Sequence, residues 1–76
     1  MLFYVIEIQS QENAGAVIPF TFTDRNAAEA KYHSLLAVAA TSEVPKHGAM
    51  IFNADGFVMK TEVYNHIEEI EPEEVI

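Results

Sequence analysis

The feature that most constrains this chain is its excess of strand-forming over helix-forming sequence. Four segments have a strand pattern and only one has a helix pattern, and half of the 76 residues are hydrophobic. The strand segments carry apolar residues on both of their sides, whereas a single helix can cover only one face of a sheet. The sequence therefore predicts one apolar sheet face that needs further cover.

The N-terminal third of the chain predicts two strands. Residues 2–9 alternate in side-chain direction in the manner of a strand, and after a polar turn residues 16–23 regain a β-rich composition. Pro19 lies inside the second segment. Because proline cannot donate to a β-ladder, either this strand lies at the edge of the sheet or its paired part begins at Phe20. We expect it outside the first strand, which takes a central position.

The middle of the chain predicts a helix. Thr23 or Asp24 can cap its exposed amides, and Pro45 disfavours helix in the residue before it. Its alanines allow close approach to a sheet, so the strands must supply most of the core volume. The apolar positions recur at helical spacing, at Ala28, Tyr32, Leu35, Leu36 and Ala39.

Residues 46–65 predict a β-hairpin, with strands at residues 46–52 and 57–65. The sequence Asp55-Gly56 closes the turn, because glycine accepts the positive φ that such loops require. The simplest register pairs Phe52 with Phe57, Met50 with Met59 and His47 with Glu62.

These elements predict an α+β fold in the order ββαββ: a four-stranded, mainly antiparallel sheet with one helix packed on one face. We expect one domain at residues 1–66 and an acidic C-terminal tail at residues 67–76. The helix is expected to cover Leu2, Tyr4, Ile6, Ile8, Phe20, Phe22, Met50, Phe52, Phe57, Met59 and Val63. The predicted uncovered face consists of Phe3, Val5, Ile51, Val58 and Tyr64.

Two kinds of cover for that face remain open. A protein partner, either a second copy or another protein, could bind it, since contiguous apolar patches usually mark interaction surfaces. Alternatively, the tail could fold back over it through its own apolar residues, Ile67, Ile70, Val75 and Ile76.

Charge and composition exclude several classes of function. Twelve acidic side chains against four basic ones give a net charge of −8, which would repel a phosphate backbone, so we expect no nucleic-acid binding. The chain has no cysteine, as is common in cytoplasmic proteins, so no disulfide is expected. It has no apolar run of about 18 residues, so no membrane span is expected. Residues 1–8 are expected to form a strand rather than a secretion signal.

A few polar residues could carry chemistry. Glu29 and His33 are four residues apart on the predicted helix, so their side chains meet on one side of it. No residue near them in sequence supplies a third metal ligand. A metal site would therefore need the distant His47, with His66 as a further candidate. We expect a solvated helix pair and two strand-edge histidines instead, with no catalytic residue, no bound metal and no cofactor.

One resemblance adds a biological context. The segments that carry it are Ala28-Glu29-Ala30-Lys31-Tyr32-His33, Leu35-Leu36-Ala37, Val44-Pro45 with His47, residues 4–9, Asp55-Gly56 and residues 62–66. Together they resemble a group of small uncharacterised proteins encoded by phages and prophages of Firmicutes. The resemblance implies a phage setting, in the host cytoplasm or the virion, rather than a reaction. It also draws attention to Lys31, Tyr32, His33 and His47. Glu29, Lys31, His33 and His47 are our candidate polar site.

The leading functional prediction is a non-enzymatic interaction module that self-associates or binds another protein through the uncovered face. A first alternative is an acidic inhibitor, in which the five tail glutamates occupy a basic surface of a host nucleic-acid-binding or defence protein. A second alternative is a small metal-binding protein that uses Glu29, His33 and His47.

Overall fold

Five regular elements occupy residues 1–66, the part of the chain that this computed structural model describes. They are β1 (Phe3–Ser10), β2 (Gly15–Phe22), α1 (Arg25–Ala40), β3 (Lys46–Asn53) and β4 (Val58–Asn65). The predicted ββαββ order and the α+β class are therefore confirmed. The predicted tail, residues 67–76, lies outside the described residues.

The four strands form one antiparallel sheet in the order β2-β1-β3-β4. The strands β1 and β3 are central, and each hairpin contributes one of them. Pro19 lies in the edge strand β2, as predicted, where one side of the strand has no ladder that would require its missing N–H.

The helix α1 begins and ends where the local chemistry satisfies its free backbone groups. The Asp24 carboxylate accepts a hydrogen bond from the Ala27 N–H at 3.0 Å, which is a typical N-cap. At the other end, the N–H groups of Thr41 and Ser42 donate to the carbonyls of Val38 and Ala39. The buried side of α1 consists of Ala28, Tyr32, Leu35 and Ala39, whose spacing follows the helical period.

The core lies between α1 and the central strands. Val5 on β1 and Ile51 on β3 face each other across the ladder, and both are fully buried. Phe3 and Ala49 extend the same face of the sheet. The partly buried residues around this core are Phe20, Phe22, Leu36 and Met59.

The prediction of which sheet face the helix covers is wrong. Phe3, Val5 and Ile51 were expected on the uncovered face, yet they form the core beneath α1. The more continuously apolar stripe of β1, Tyr4, Ile6 and Ile8, lies away from α1, so alternation along this strand favours the wrong face as the covered one. Small or slender residues such as Val5 and Ala49 lie beneath the alanines of α1, and this combination allows close helix–sheet packing.

The register predicted for the second hairpin is also wrong. Strand β4 has a bulge opposite Ile51 and Phe52. Ile51 pairs with Lys60 and Phe52 pairs with Val58, so Met59 is the extra residue. His47 consequently faces Tyr64 rather than Glu62, and Met50 faces Thr61.

The turn explains this register. The Asn53 side-chain oxygen accepts hydrogen bonds from the N–H groups of Asp55, at 2.9 Å, and Phe57, at 3.1 Å. These bonds hold Phe57 in the loop, so β4 begins only at Val58. Gly56 has a φ of 87°, as the turn signal in the sequence requires.

A first prediction concerns Gly48, which is buried in β3. A Cβ atom at this position would clash with the Glu62 carbonyl oxygen and would lie 2.5 Å from the Val63 Cα. Because both contacts are with backbone, we expect Gly48→Ala to lower the free energy of unfolding by about 2–3 kcal/mol. Urea unfolding followed by circular dichroism measures this loss.

Gly15→Ala is the matched control for this prediction. A Cβ atom there would meet the nearest backbone atom only at 3.4 Å, so its stability should remain within about 0.5 kcal/mol of the parent chain. Equal stabilities of the two variants would contradict the close approach of β3 and β4.

Candidate interaction surface

The face of the sheet opposite α1 is built from the residues that alternate with the buried core. Since successive side chains of a strand point to opposite sides, the neighbours of Val5 and Ile51 point away from the helix. The strand registers arrange these residues in three rows across the sheet. We call this surface the open face, and its rows are Thr21-Tyr4-Phe52-Val58, Pro19-Ile6-Met50-Thr61 and Val17-Ile8-Gly48-Val63.

The open face is apolar along its centre and accessible at its margins. Tyr4 and Phe52 pack their rings against each other across β1 and β3, with centroids 5.4 Å apart. At the margins, Val17 is 60% exposed and Val63 is 43% exposed. Within residues 1–66 the only helix packs on the other side, so no second layer covers these rows.

The open face also lacks charge. None of its twelve residues is acidic or basic, although the chain as a whole has a net charge of −8. The charged residues inside the strands, Glu7, Lys60 and Glu62, pair with residues of the helix-covered side. Lys46, at the first position of β3, lies on the same side of the sheet in the next row, where it pairs with Ser10 and Asn65, so one positive charge borders the open face.

The residues predicted for partner binding are only partly on this surface. Phe3, Val5 and Ile51 are buried beneath α1 and cannot contact a partner without unfolding, so their predicted placement is wrong. Tyr64 is half-buried opposite His47, on the helix side of the sheet. Val58 alone is on the open face, where it lies opposite Phe52 and is 53% exposed.

Glu29, from the candidate polar site, is the centre of an ion-pair cluster that joins α1 to β4. The Lys60 ammonium lies 2.9 Å from the Glu29 carboxylate, and Arg25 and His33 each approach it to 3.7 Å. The hydrogen bond from Lys60, aided by the nearby positive charges and opposed by partial burial, lowers the pKa of Glu29 below its usual 4.5. This cluster is a structural tie between helix and edge strand.

Lys31 and His33 make aromatic contacts instead of a common site. The Lys31 ammonium lies 4.2 Å from the centroid of the Phe20 ring, a cation–π contact that joins α1 to β2. The exposed His33 ring packs edge-on against Tyr32, with centroids 5.2 Å apart. Burial, with the negative charges of Glu62 and Glu29 nearby, raises the pKa of the Tyr32 hydroxyl.

His47 is separate from the Glu29 cluster and nearly fully buried. Its Nε2 atom lies 2.7 Å from a Glu7 carboxylate oxygen, and the Gln9 side-chain amide donates to the same oxygen at 3.0 Å. This pair was not predicted, because Glu7 and His47 are 40 positions apart in the sequence. The only available signal is that Glu7 interrupts the apolar run of residues 1–8.

His66 closes the described part of the chain at the end of α1. Its backbone N–H donates to the Pro45 carbonyl at 2.6 Å, and its ring Nε2 lies 2.8 Å from the Ala39 carbonyl oxygen, to which it can donate. Among residues 1–66, no three histidine, aspartate or glutamate side chains come together in a way that could hold a metal ion. The metal alternative built on Glu29, His33 and His47 therefore has no assembled ligand set.

Within residues 1–66, α1 is too short and too polar to cross a membrane. Comparisons of the chain with protein-family models, with curated proteins and with solved structures gave no match. The open face is therefore the main feature from which a function can be inferred.

A second prediction concerns the Glu29 cluster. The pKa of the Glu29 carboxyl group is lowered in the folded state, so ionised Glu29 contributes stability above pH 4.5. This contribution is lost as the pH falls through the folded-state pKa. Glu29→Gln should lower the free energy of unfolding at pH 7 by about 0.2–1 kcal/mol. Denaturant titrations at pH 7 and pH 3 should show this difference disappearing in acid.

Glu43→Gln is the control, since it removes one carboxylate from the exposed loop before β3. We expect it to leave stability nearly unchanged at both pH values. A Glu29→Gln deficit as large at pH 3 as at pH 7 would contradict an electrostatic origin.

Proposed function

We propose that this protein is a non-enzymatic interaction module in which the open face packs against the open face of a second copy. The observation that carries the proposal is the set of three uncharged rows without a covering layer in residues 1–66. Burying such a surface removes apolar area from water, which is the main driving force in most protein association.

The charge distribution favours a second copy over a charged partner. Two molecules with a net charge of −8 repel each other at most of their surface, and this repulsion is weakest where both present an uncharged face. A twofold dimer uses the same patch on both molecules, so a patch without charges is compatible with itself.

The size of the open face sets the expected strength of the contact. The three rows lie about 6.6 Å apart along strands that rise about 3.3 Å per residue, and the four strands are spaced about 4.8 Å apart, so the open face covers about 400 Å² per copy. Two faces together bury about 800 Å², which is below the roughly 1,000 Å² of stable specific interfaces and within the range of weak, transient contacts. The proposed dimer is therefore reversible rather than obligate.

The resemblance to phage-encoded proteins supplies the proposed setting. We place the module in the cytoplasm of a phage-carrying host cell, with the virion as the other location, and we expect neither catalysis nor binding of nucleic acid. The acidic-inhibitor alternative depends on residues 67–76, outside the described part of the chain, and no observation within residues 1–66 favours it.

A third prediction tests the open face directly. Ile6 and Met50 are paired neighbours in its second row, so Ile6→Glu or Met50→Glu would place a carboxylate in the middle of the interface. Each variant should raise the dimer dissociation constant by at least tenfold, because a buried unpaired charge is strongly unfavourable. Sedimentation velocity over a concentration series measures this shift.

Val38→Glu is the matched control. It makes the same change from an apolar to an acidic residue and adds the same charge, but Val38 lies on α1 and is 56% exposed. We expect this variant to associate like the parent chain. If all three variants behaved alike, the open face would not be the interface.

Deletion of residues 67–76 distinguishes the two possible occupants of the open face, which are the tail and a second copy. If the tail covers this face, the parent chain stays monomeric and the truncated chain associates, which would overturn the proposal. If a second copy covers it, the parent chain already associates and truncation preserves or strengthens the dimer. Monomers in both cases would also overturn the proposal.

A further inference from the structure

The two outer edges of the sheet differ in their protection against strand pairing. The edge strand β2 contains Pro19, which lacks a backbone donor and so interrupts any ladder on that side. The edge strand β4 contains no proline, and within residues 1–66 it pairs with β3 alone. Over residues 58–64 its outer side therefore presents unpaired backbone groups to a further strand.

The charges on β4 are arranged in a self-complementary way. Lys60 and Glu62 flank Thr61, and both lie on the helix side of the sheet because they pair with Ile51 and Ala49. If two β4 strands pair antiparallel with Thr61 on the twofold axis, each Lys60 lies opposite the partner's Glu62. The contact then contains two cross-strand ion pairs.

Alternative registers are less favourable for stated reasons. A shift by two residues in one direction places Lys60 opposite the partner's Lys60, and a shift in the other direction places Glu62 opposite the partner's Glu62. A shift by one residue brings helix-side residues of one copy opposite open-face residues of the other. The register centred on Thr61 is thus the one in which charge and sidedness both agree.

The existing contacts of these residues leave them able to pair. The Lys60 ammonium donates to Glu29 at 2.9 Å, and an ammonium group has further hydrogens for a second carboxylate. Glu62 is exposed. The bulge at Met59 limits the length of the regular ladder, so the edge contact is short and its strength depends on the central charge pairs.

We propose that the free edge of β4 pairs antiparallel with β4 of a second copy, with Thr61 on the twofold axis, to form a continuous eight-stranded sheet. The contact uses the backbone edge and leaves the open face free, so it does not depend on the proposed open-face dimer. In such a pair the two open faces lie side by side and form one wider surface.

Charge reversal gives a test with an internal rescue. In a Met50→Glu background, which disables the open face, Lys60→Glu makes the β4 centre wholly acidic and Glu62→Lys makes it wholly basic. Each variant alone should associate about tenfold more weakly than the Met50→Glu chain, because like charges face each other. An equimolar mixture should regain the lost affinity, since each acidic residue then faces a basic one. Sedimentation equilibrium measures all three samples.

A cross-link tests the position of the axis. The chain has no cysteine, so Thr61→Cys introduces a single thiol at the point where two copies should bring their Cβ atoms within disulfide distance. In the Met50→Glu background it should oxidise to a covalent dimer at least tenfold faster than Ser34→Cys, an exposed control on α1.

Two results would overturn the edge contact. One is a charge-reversed mixture that associates no more tightly than its separate components. The other is a Thr61→Cys variant that cross-links no faster than the Ser34→Cys control. Neither result bears on the open face, whose own test is the effect of Ile6→Glu in the chain with Lys60 and Glu62 intact.

Discussion

The ladder between β1 and β3 is the contact on which the rest of the molecule depends. It joins the two hairpins into one sheet, and at its centre the fully buried Val5 and Ile51 form the floor on which α1 packs. A lone two-stranded hairpin is at best marginally stable in water, so neither hairpin is expected to persist without this ladder. The same ladder pairs Ile6 with Met50 on the opposite side and so creates the centre of the open face.

The sequence was sufficient for the elements, their order, the helix stripe and the edge position of the strand with Pro19. It gave the wrong covered face, because the more continuously apolar stripe of β1, Tyr4, Ile6 and Ile8, lies on the open face, whereas the stripe beneath α1 includes charged Glu7. The predicted register of the second hairpin was wrong for a local reason, because a hydrogen bond to the Asn53 side chain extends the loop to Phe57. Prediction of the Glu7–His47 pair would have required the pairing of β1 with β3.

The polar contacts of the helix side explain how the three rows of the open face are left without charge. Lys60 holds Glu29 near one end of α1, Lys31 covers the Phe20 ring, and the Glu7–His47 pair lies between central strands. These interactions fix the helix across the sheet and place Glu7, Lys60 and Glu62 on its side, so that on the opposite side only Lys46 borders the open face. An acidic chain thereby retains one neutral surface, which is the property that a homotypic contact needs.

The separation of the paired segments has a kinetic consequence. Each hairpin joins neighbouring stretches of chain, whereas the β1–β3 ladder pairs Ser10 with Lys46 at its near end and Phe3 with Asn53 at its far end. Contacts between distant positions require closure of a long loop before any stabilisation is gained, and they slow folding. Formation of the β1–β3 ladder is therefore the expected rate-limiting event, with α1 inside the closing loop. Before β1 and β3 pair, the central rows of the open face do not exist, so the proposed self-association through that face can begin only after this ladder has formed.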